Sequence, residues 1–230
     1  MLYKLTPTRV YRTYYGGKNI DRVTGVPQPS ITRYPEDWLA SVTEAFNPGN
    51  EVKGEGLSKT EDGKYLADII AENKSEMIGS DDRMKLLFKM LDSAERLVIQ
   101  VHPTVEFAKK YFNSDYGKTE CWYILDCKED ATIVIGHNAK DKKELEDMIR
   151  NEKWNDLIRV IPIKKGDFFQ INPGCLHAIK GGTLLIETQQ SSDVTYRVYD
   201  YDRLQNGQPR ELHIQQSIDC IEAPHKEYDG

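Results

Sequence analysis

From residue 97 onward, apolar and polar positions alternate along the chain with a period of two, which is typical of β-strands. The alternating runs are short and are joined by turns that contain Gly residues. Many short strands connected in this way favour a β-sandwich or a β-barrel. The runs that we assign to strands are residues 97–99, 121–125, 157–163, 167–171, 183–188 and 194–201.

Apolar positions at helical spacing predict helices elsewhere in the chain. Two of them, at Tyr65–Ile70 and Met84–Leu91, are separated by a break around residues 79–82. A charge-rich stretch, residues 140–157, predicts a helix inserted between two strands, with a solvated outer face. Residues 212–221 predict a closing helix, whereas residues 1–59 mix short β-like runs with Gly and Pro. The pattern therefore predicts a mainly β protein with helical additions.

The composition is that of a globular protein, with 39% hydrophobic and 30% charged residues in 230. No apolar stretch approaches the roughly 20 residues that a transmembrane helix needs, and the first residues do not resemble a secretory signal. The formal net charge of −6 argues against a nucleic-acid surface. The four cysteines form no CxxC motif, so we expect reduced thiols and a cytoplasmic location.

Four polar side chains lie at the ends of predicted strands, namely those of Gln100, His102, Glu120 and His177. Positions two apart on a strand share a face, so Gln100 and His102 point the same way. A single buried histidine is more often a hydrogen-bonded core residue than a ligand. Two imidazoles, one carboxylate and a neutral oxygen together suit a divalent metal such as zinc with one position open to substrate. We therefore predict a metal site inside a β-barrel.

A second cluster of charges follows the strand 183–188. Glu187 interrupts that apolar strand, and a carboxylate there must be paired, solvated in a cavity or shifted to a higher pKa. One interpretation is a structural network of ion pairs among Glu187, Asp193, Arg197 and Arg203. The alternative is functional: Arg197, which is predicted to share a strand face with Tyr199, lies with a carboxylate in the metal cavity and supports proton transfer.

These motifs resemble the type I phosphomannose isomerases (mannose-6-phosphate isomerases), in particular their short bacterial branch. The resemblance covers roughly residues 60–220. Its motifs are Gln100-Val101-His102-Pro103, Gly117-Lys118-Thr119-Glu120, Trp122-Tyr123, Pro173-Gly174-Cys175-Leu176-His177-Ala178 and the segment from Glu187 to Arg203. Members of this family are zinc enzymes of the cupin superfamily, so the resemblance implies a jelly-roll β-barrel.

The resemblance also implies roles for individual residues. It implies one Zn²⁺ per chain, although other divalent metals can use the same ligands. The implied ligands are Gln100, His102, Glu120 and His177. Arg197 would be the active-site arginine, Lys118 would face the same cavity, and Glu187 or Asp193 would carry the proton. Three basic residues would hold phosphate or stabilise enediolate charge: Lys118, Arg197 and Arg203.

The implied reaction interconverts mannose 6-phosphate and fructose 6-phosphate through an enediol. Two alternatives stay open: an isomerase or epimerase of another sugar or sugar phosphate, and a non-catalytic sugar-binding cupin. They stay open because Tyr14-Tyr15-Gly16-Gly17 and Glu36-Asp37-Trp38 are altered versions of family segments that help close the active site. The expected partner is a small sugar phosphate, with no nucleic acid and no membrane, and the sequence does not indicate an oligomeric state.

We expect one cupin-type catalytic domain over residues 1–230, without a counterpart of the second, smaller β-domain of the family. Its predicted parts are listed in chain order: an N-terminal β/loop segment (1–59), a helical segment (60–96), the metal-binding jelly roll (97–211) and the closing helix (212–221).

Overall fold

Two antiparallel β-sheets face each other in the computed structural model, which describes residues 2–6, 8–113, 116–205 and 207–227. The larger sheet contains, from edge to edge, β10 (Phe168–Ile171), β7 (Glu120–Cys127), β12 (Thr183–Gln190), β5 (Leu86–Ser93), β3 (Glu36–Ala40) and β2 (Arg9–Val10). The smaller sheet contains β13 (Tyr196–Tyr199), β6 (Ile99–Val101), β11 (His177–Ala178), β8 (Thr132–His137) and β9 (Ile158–Pro162). Two short two-stranded sheets complete the strands: β1 (Leu5–Thr6) with β4 (Lys59–Thr60), and β14 (Leu204–Gln205) with β15 (Gln208–Pro209).

The helices lie between and beside these strands. They are α1 (Lys18–Val23), α2 (Leu66–Glu72), α3 (Lys74–Met77), α4 (Val105–Phe112), α5 (Lys142–Arg150), α6 (Trp154–Leu157) and α7 (Ile214–Cys220). Two of them begin at side-chain caps: Thr104 accepts a hydrogen bond from the backbone of Phe107, and Asp141 accepts one from Glu144. Within the described ranges, no helix is both long and apolar enough to cross a membrane.

Apolar side chains fill two layers of the fold. The first lies between the sheets, where Trp122, Ile124 and Leu185 of the larger sheet belong to the same cluster as Ile133 and Ile135 of the smaller one. The second lies between the smaller sheet and the helices α5, α6 and α7; it contains Ile99, Val101, Leu145, Ile149, Leu157 and Ile218. The smaller sheet is thus buried on both faces, and the space between the sheets is where polar side chains meet.

The structure confirms the mainly β fold and most of the predicted elements. Each predicted strand from residue 97 onward overlaps an observed strand. The inserted helix is present as α5 and α6, and the closing helix is α7. Three helices, α1, α3 and α4, were not predicted as separate elements, although α3 lies within the predicted helical segment 60–96.

The helix predicted at Met84–Leu91 is wrong, because these residues form β5. Residues 86–91 are apolar except for Lys89, so helical and strand periods both fit the run. Their position decides the outcome, since β5 pairs with β12 on one side and with β3 on the other. The larger sheet consequently includes three strands from residues 1–96, a region in which we expected a β/loop segment and helices.

Candidate metal centre

Strands from both sheets present polar side chains at one end of the inter-sheet core. Gln100 lies on β6, His102 follows that strand directly, and His177 opens β11 opposite Gln100. Paired residues on antiparallel neighbours share a face, and Ile135, which also pairs with His177, belongs to the inter-sheet core. Glu120 opens β7 in the facing sheet. The side chains of these four residues therefore converge from two sheets.

Two glycines allow the loops around this site to approach each other. A Cβ on Gly117 would lie 2.7 Å from the carbonyl oxygen of Pro103, so only glycine lets this loop pass so close to the residue after His102. Gly174 adopts a positive φ of 84° and donates a backbone hydrogen bond to the carbonyl of His102 at 3.0 Å. Both loops are thereby tied to the backbone beside His102.

His102, Glu120 and His177 form the cluster of the described residues that could hold a metal ion. His102 Nε2 lies 3.1 Å from Glu120 Oε2, and His177 Nε2 lies 3.4 Å from Glu120 Oε1. The two Nε2 atoms are 3.2 Å apart. All three side chains are fully buried, so two nitrogens and a carboxylate face one small, dry volume.

The protonation states of the three side chains are those of metal ligands. Burial, and then the charge of Lys118, lowers the pKa of His102 to about 3, and burial likewise lowers the pKa of His177. His177 lies with Nδ1 2.9 Å from the carbonyl oxygen of Cys175, which assigns the proton to Nδ1 and leaves the Nε2 lone pair facing the cluster. Burial alone would raise the pKa of Glu120, but Lys118 and the two histidines lower it well below its usual range.

The unsatisfied polar atoms of the cluster fit a bound cation. Both carboxylate oxygens of Glu120 are buried and form no hydrogen bond within the described ranges, although three nitrogens lie within 3.0–3.4 Å of them. Buried carboxylates of this kind are normally paired or coordinate a metal. The residues present therefore fit a divalent ion with nitrogen and oxygen ligands.

Gln100 adds a fourth group at the edge of the cluster. Its side-chain Nε2 lies 3.2 Å from His177 Nε2. The nitrogen and oxygen of a side-chain amide occupy equivalent positions, so a half-turn of this amide presents Oε1 to the site. The predicted ligand set is thus brought together in space, and its assignment as ligands remains a prediction.

Lys118 lies in the same buried space as the three candidate ligands. Its Nζ is 3.0 Å from Glu120 Oε2 and 3.0 Å from His102 Nε2, and its side chain is only 5% exposed. A positive charge in such a dry position acts strongly on any anion that enters the site.

Glu187 lies one strand away from this cluster, on β12. One of its oxygens is 3.1 Å from Nζ of Lys89, and the other accepts a hydrogen bond from Nε1 of Trp122 at 3.0 Å. Burial, followed by the nearby charge of Glu120, raises the pKa of Glu187 above its ordinary value. A carboxyl group with a raised pKa beside a metal cluster is suited to accepting and returning a proton.

Asp193 is bound mainly by residues of the N-terminal part of the chain. It accepts hydrogen bonds from both terminal nitrogens of Arg12, at 3.0 and 3.1 Å, and from the backbone N–H of Phe46 at 2.8 Å. Lys89 Nζ lies 4.0 Å away. The described contacts of Asp193 are thus made largely with the N-terminal part of the chain.

The ion-pair network that the sequence suggested is present with different cations. Glu187 and Asp193 pair with Lys89 and Arg12, whereas Arg203 pairs with Asp200 at 2.8 Å. The proposed network among Glu187, Asp193, Arg197 and Arg203 is therefore wrong in its cations.

Arg197 occupies a position from which it faces the space between the sheets. It pairs with Gln100 across β13 and β6, so the two side chains share a face. Its Nε donates to the carbonyl of Glu211 at 2.8 Å, and burial together with Arg210 lowers the pKa of Arg197. The expectation that Tyr199 shares this face is wrong, because a β-bulge follows Arg197 and Tyr199 packs with the helical layer.

Arg203 lies outside the cluster. Its guanidinium contacts Asp200, the carbonyl of Arg96 and the ring of Tyr201. With Arg33 and Arg210 it lines a cavity of about 180 Å³. Its predicted role in substrate binding stays a prediction.

Sequence reasoning missed Arg12, Glu36 and Lys89, which complete the buried charge network. Glu36 accepts two hydrogen bonds from Arg12 at 2.8 and 3.1 Å, and lies 3.7 Å from Lys89. A signal was available for Lys89, because it interrupts an apolar run as Glu187 does. No comparable signal distinguishes Arg12, whose partner Asp193 lies 181 residues away.

Comparisons with known proteins agree with this geometry. The family model for the type I phosphomannose isomerase catalytic domain matches residues 2–120. The probable mannose-6-phosphate isomerase GmuF of Bacillus subtilis is 43% identical over 214 residues, which is 92% of this chain. The mannose-6-phosphate isomerase ManA of the same organism is 46% identical over 175 residues, or 74% of this chain.

The crystal structure of mannose 6-phosphate isomerase from B. subtilis superimposes with a TM-score of 0.84 at 41% identity, covering 97% of this chain and 69% of that one. The predicted cupin fold is thereby confirmed. The chain spans 65% of the length of GmuF and 56% of the length of ManA.

Proposed function

The chain belongs to the type I phosphomannose isomerase family, and we propose from this that it is a metal-dependent aldose–ketose isomerase that interconverts mannose 6-phosphate and fructose 6-phosphate. The single observation that carries the proposal is the convergence of His102, Glu120 and His177, with Glu187 beside them. This arrangement combines candidate metal ligands with a group able to move a proton.

We propose Zn²⁺, one ion per chain, as the bound metal, with Gln100, His102, Glu120 and His177 as its ligands. Two neutral imidazoles, an ionised carboxylate and an amide oxygen suit this ion, and other divalent ions can also bind such a set. When bound, the metal supplies a Lewis acid that polarises the carbonyl and hydroxyl oxygens of the sugar.

Glu187 is the side chain that we assign to proton transfer between C1 and C2 of the sugar. Its pKa is raised, so proton uptake and release cost less near neutral pH than they do for an exposed glutamate. Lys89 and Trp122 contact one carboxylate oxygen each and so fix its orientation. Asp193 is the less suitable candidate, because Arg12 occupies both of its oxygens.

Basic side chains provide the charge that the substrate and the enediolate need. Lys118 is buried within 3.0 Å of the candidate ligands, where it stabilises negative charge that develops on the sugar oxygens. Arg197 shares the face of Gln100, and its planar guanidinium suits an enediolate or a phosphate. Arg203 lies further along the chain, and we propose that it contributes to phosphate binding.

The partner that we propose is thus a small sugar phosphate. The four cysteines are free thiols in the structure, which supports our prediction that the protein acts in the reducing environment of the cytoplasm.

The reaction is tested by incubating the metal-loaded protein with mannose 6-phosphate in deuterated water and following the sugar by NMR. Proton transfer through an enediol predicts fructose 6-phosphate that carries deuterium at C1 in part of the product. A panel of other aldose phosphates serves as the comparison. Faster conversion of another sugar phosphate supports the alternative substrate, whereas binding of sugar without any conversion supports a non-catalytic role.

A further inference from the structure

Arg12 uses every N–H group of its guanidinium within the folded chain. Nε and Nη2 donate to the two oxygens of Glu36 at 2.8 and 3.1 Å. Nη1 and Nη2 donate to the two oxygens of Asp193 at 3.1 and 3.0 Å, and Nη1 also donates to Oδ1 of Asn47 at 3.1 Å. A guanidinium carries five N–H donors in a fixed fork, so these five contacts exhaust it.

We propose that Arg12 is a positioning residue of the active site, which holds Glu36, Asn47 and Asp193 in one arrangement and thereby fixes the N-terminal part of the chain as a wall of that site. This inference rests on the proposed isomerase function. The side-chain hydrogen bonds of Arg12 are made with Glu36, Asn47 and Asp193, and not with the candidate metal ligands or Glu187, so Arg12 acts through these partners.

The three partners of Arg12 belong to separate segments of the chain. Glu36 lies on β3, Asn47 lies in the loop that follows this strand, and Asp193 lies between β12 and β13. Asp193 also accepts a hydrogen bond from the backbone N–H of Phe46 at 2.8 Å. Its carboxylate is therefore connected to the loop that contains Asn47 both directly and through Arg12. One guanidinium therefore joins the N-terminal part of the chain to the connection that leads directly to Arg197.

A second path leads from Arg12 to the candidate proton-transfer group. Glu36 lies 3.7 Å from Nζ of Lys89, which lies 3.1 Å from Glu187. Glu36 is further fixed by hydrogen bonds from Tyr14 and Trp38, each at 2.8 Å. If Arg12 is removed, Lys89 is the one cation in the described part of the chain that still lies within 4.0 Å of Glu36, Asp193 and Glu187. Its ammonium group is then drawn toward Glu36 and Asp193 and away from Glu187.

Lysine cannot replace arginine at this position. An ammonium group is a point charge with three donors and cannot form two bidentate carboxylate pairs at once. Arg12→Lys therefore keeps the positive charge but loses the two bidentate contacts with Glu36 and Asp193. Arg22→Lys is the matched control, because Arg22 belongs to the same part of the chain, is exposed on α1 and donates to Oδ1 of Asn19 on the same helix at 3.1 Å.

The experiment compares the wild type, Arg12→Lys and Arg22→Lys as metal-loaded proteins. The first measurement is amide hydrogen exchange at Phe46, whose N–H bonds to Asp193. We expect exchange about tenfold faster in Arg12→Lys, since local opening exposes this amide. The second is steady-state kinetics, in which we expect kcat to fall about tenfold to a hundredfold, as small misplacements of catalytic groups do. Metal content should be unchanged, and Arg22→Lys should behave as the wild type.

Two results overturn the inference: wild-type exchange at Phe46 in Arg12→Lys, or faster exchange there with unchanged kcat and KM. If Arg12→Lys does not fold, Asn47→Ala gives the answer, because it removes the hydrogen bond from Arg12, together with the one that Asn47 donates to Glu55, and leaves both carboxylates paired with Arg12. We then expect exchange at Phe46 to rise and kcat to fall, each about threefold or more, as for the loss of one or two ordinary hydrogen bonds; no change in either overturns the inference. A wild-type protein without isomerase activity contradicts the proposed function before any variant is made, so the two failures are distinguishable.

Discussion

The carboxylate of Glu187 lies 3.1 Å from the ammonium group of Lys89, with both side chains almost fully buried between the sheets. This pair stands between the candidate metal ligands and the charges contributed by the N-terminal part of the chain. Despite the neighbouring ammonium, burial and the charge of Glu120 raise the pKa of Glu187. The proposed proton transfer by Glu187 depends on this raised pKa and on the orientation that Lys89 gives the carboxylate.

Glu187→Gln should remove proton transfer and leave the metal in place. We expect kcat to fall by about 10²–10⁴, the range typical of lost general acid–base catalysis, with unchanged metal content. Steady-state kinetics and elemental analysis of the same preparation measure both. Glu146→Gln is the control, since Glu146 is half exposed on α5 and pairs with Arg150. A Glu187→Gln variant with turnover within threefold of the wild type contradicts the role.

The pH dependence of turnover follows from the direction of the same shift. A base must be ionised to accept a proton, so activity is lost as the pH falls through the pKa of Glu187. Because that pKa is raised, we expect the acidic limb of the kcat profile to lie above pH 4.5, the ordinary value for glutamate. A limb below this value, measured over a pH range in which the protein stays folded and metal-loaded, disagrees with the assignment.

Arg197→Ala should separate metal binding from turnover. Arg197 shares a sheet face with Gln100 but forms its described side-chain hydrogen bond with the carbonyl of Glu211. We therefore expect full metal content with kcat/KM reduced about a hundredfold or more, as for the loss of a group that stabilises developing charge. Arg150→Ala, on the surface of α5, should keep wild-type kinetics. Normal turnover of Arg197→Ala would remove this residue from the mechanism.

Glu36 should make the fold sensitive to acid. Burial alone would raise the pKa of Glu36, but Arg12 and Lys89 lower it below its usual range. A lowered pKa stabilises the fold above the unfolded value of about 4.5, and this stabilisation disappears as the pH falls through the folded value. Glu36→Gln leaves two buried cations with one partner fewer and should cost roughly 3–5 kcal/mol at neutral pH.

The measurement for Glu36 is urea unfolding of the metal-free wild type and Glu36→Gln between pH 3 and pH 7. The difference in unfolding free energy between the two proteins should be constant above about pH 5 and shrink below it. Comparison of the two proteins removes the contribution of the metal ligands, which titrate in both. A difference that grows as the pH falls has the wrong sign for a carboxylate with a lowered pKa.

The sequence pattern predicted the positions of the site residues that lie at the ends of strands. Gln100, His102, Glu120 and His177 stand at strand ends, where a period of two fixes the face of each side chain. Two strand-level predictions were wrong for identifiable reasons. β5 is apolar on both faces, so its period was ambiguous, and a β-bulge moved Tyr199 to the face opposite Arg197.

Contacts between distant segments could not be predicted in the same way. Arg12 meets Asp193 because the N-terminal strands β2 and β3 join the larger sheet beside β5. Nothing in the local pattern around Arg12 indicates this pairing. The cations of the buried network were therefore assigned to the nearest arginines in sequence, Arg197 and Arg203, whereas the fold supplies Arg12 and Lys89.

Metal content and isomerase activity, measured on one preparation of the 230-residue chain, test the central claim most directly. Formation of fructose 6-phosphate from mannose 6-phosphate is coupled to a dehydrogenase, before and after treatment with a chelator and after return of Zn²⁺. We predict about one metal ion per chain, turnover that the chelator abolishes and zinc restores, and loss of both metal and turnover in His102→Ala, with His225→Ala as the control. Full metal content without turnover, or turnover that resists the chelator, would contradict the account.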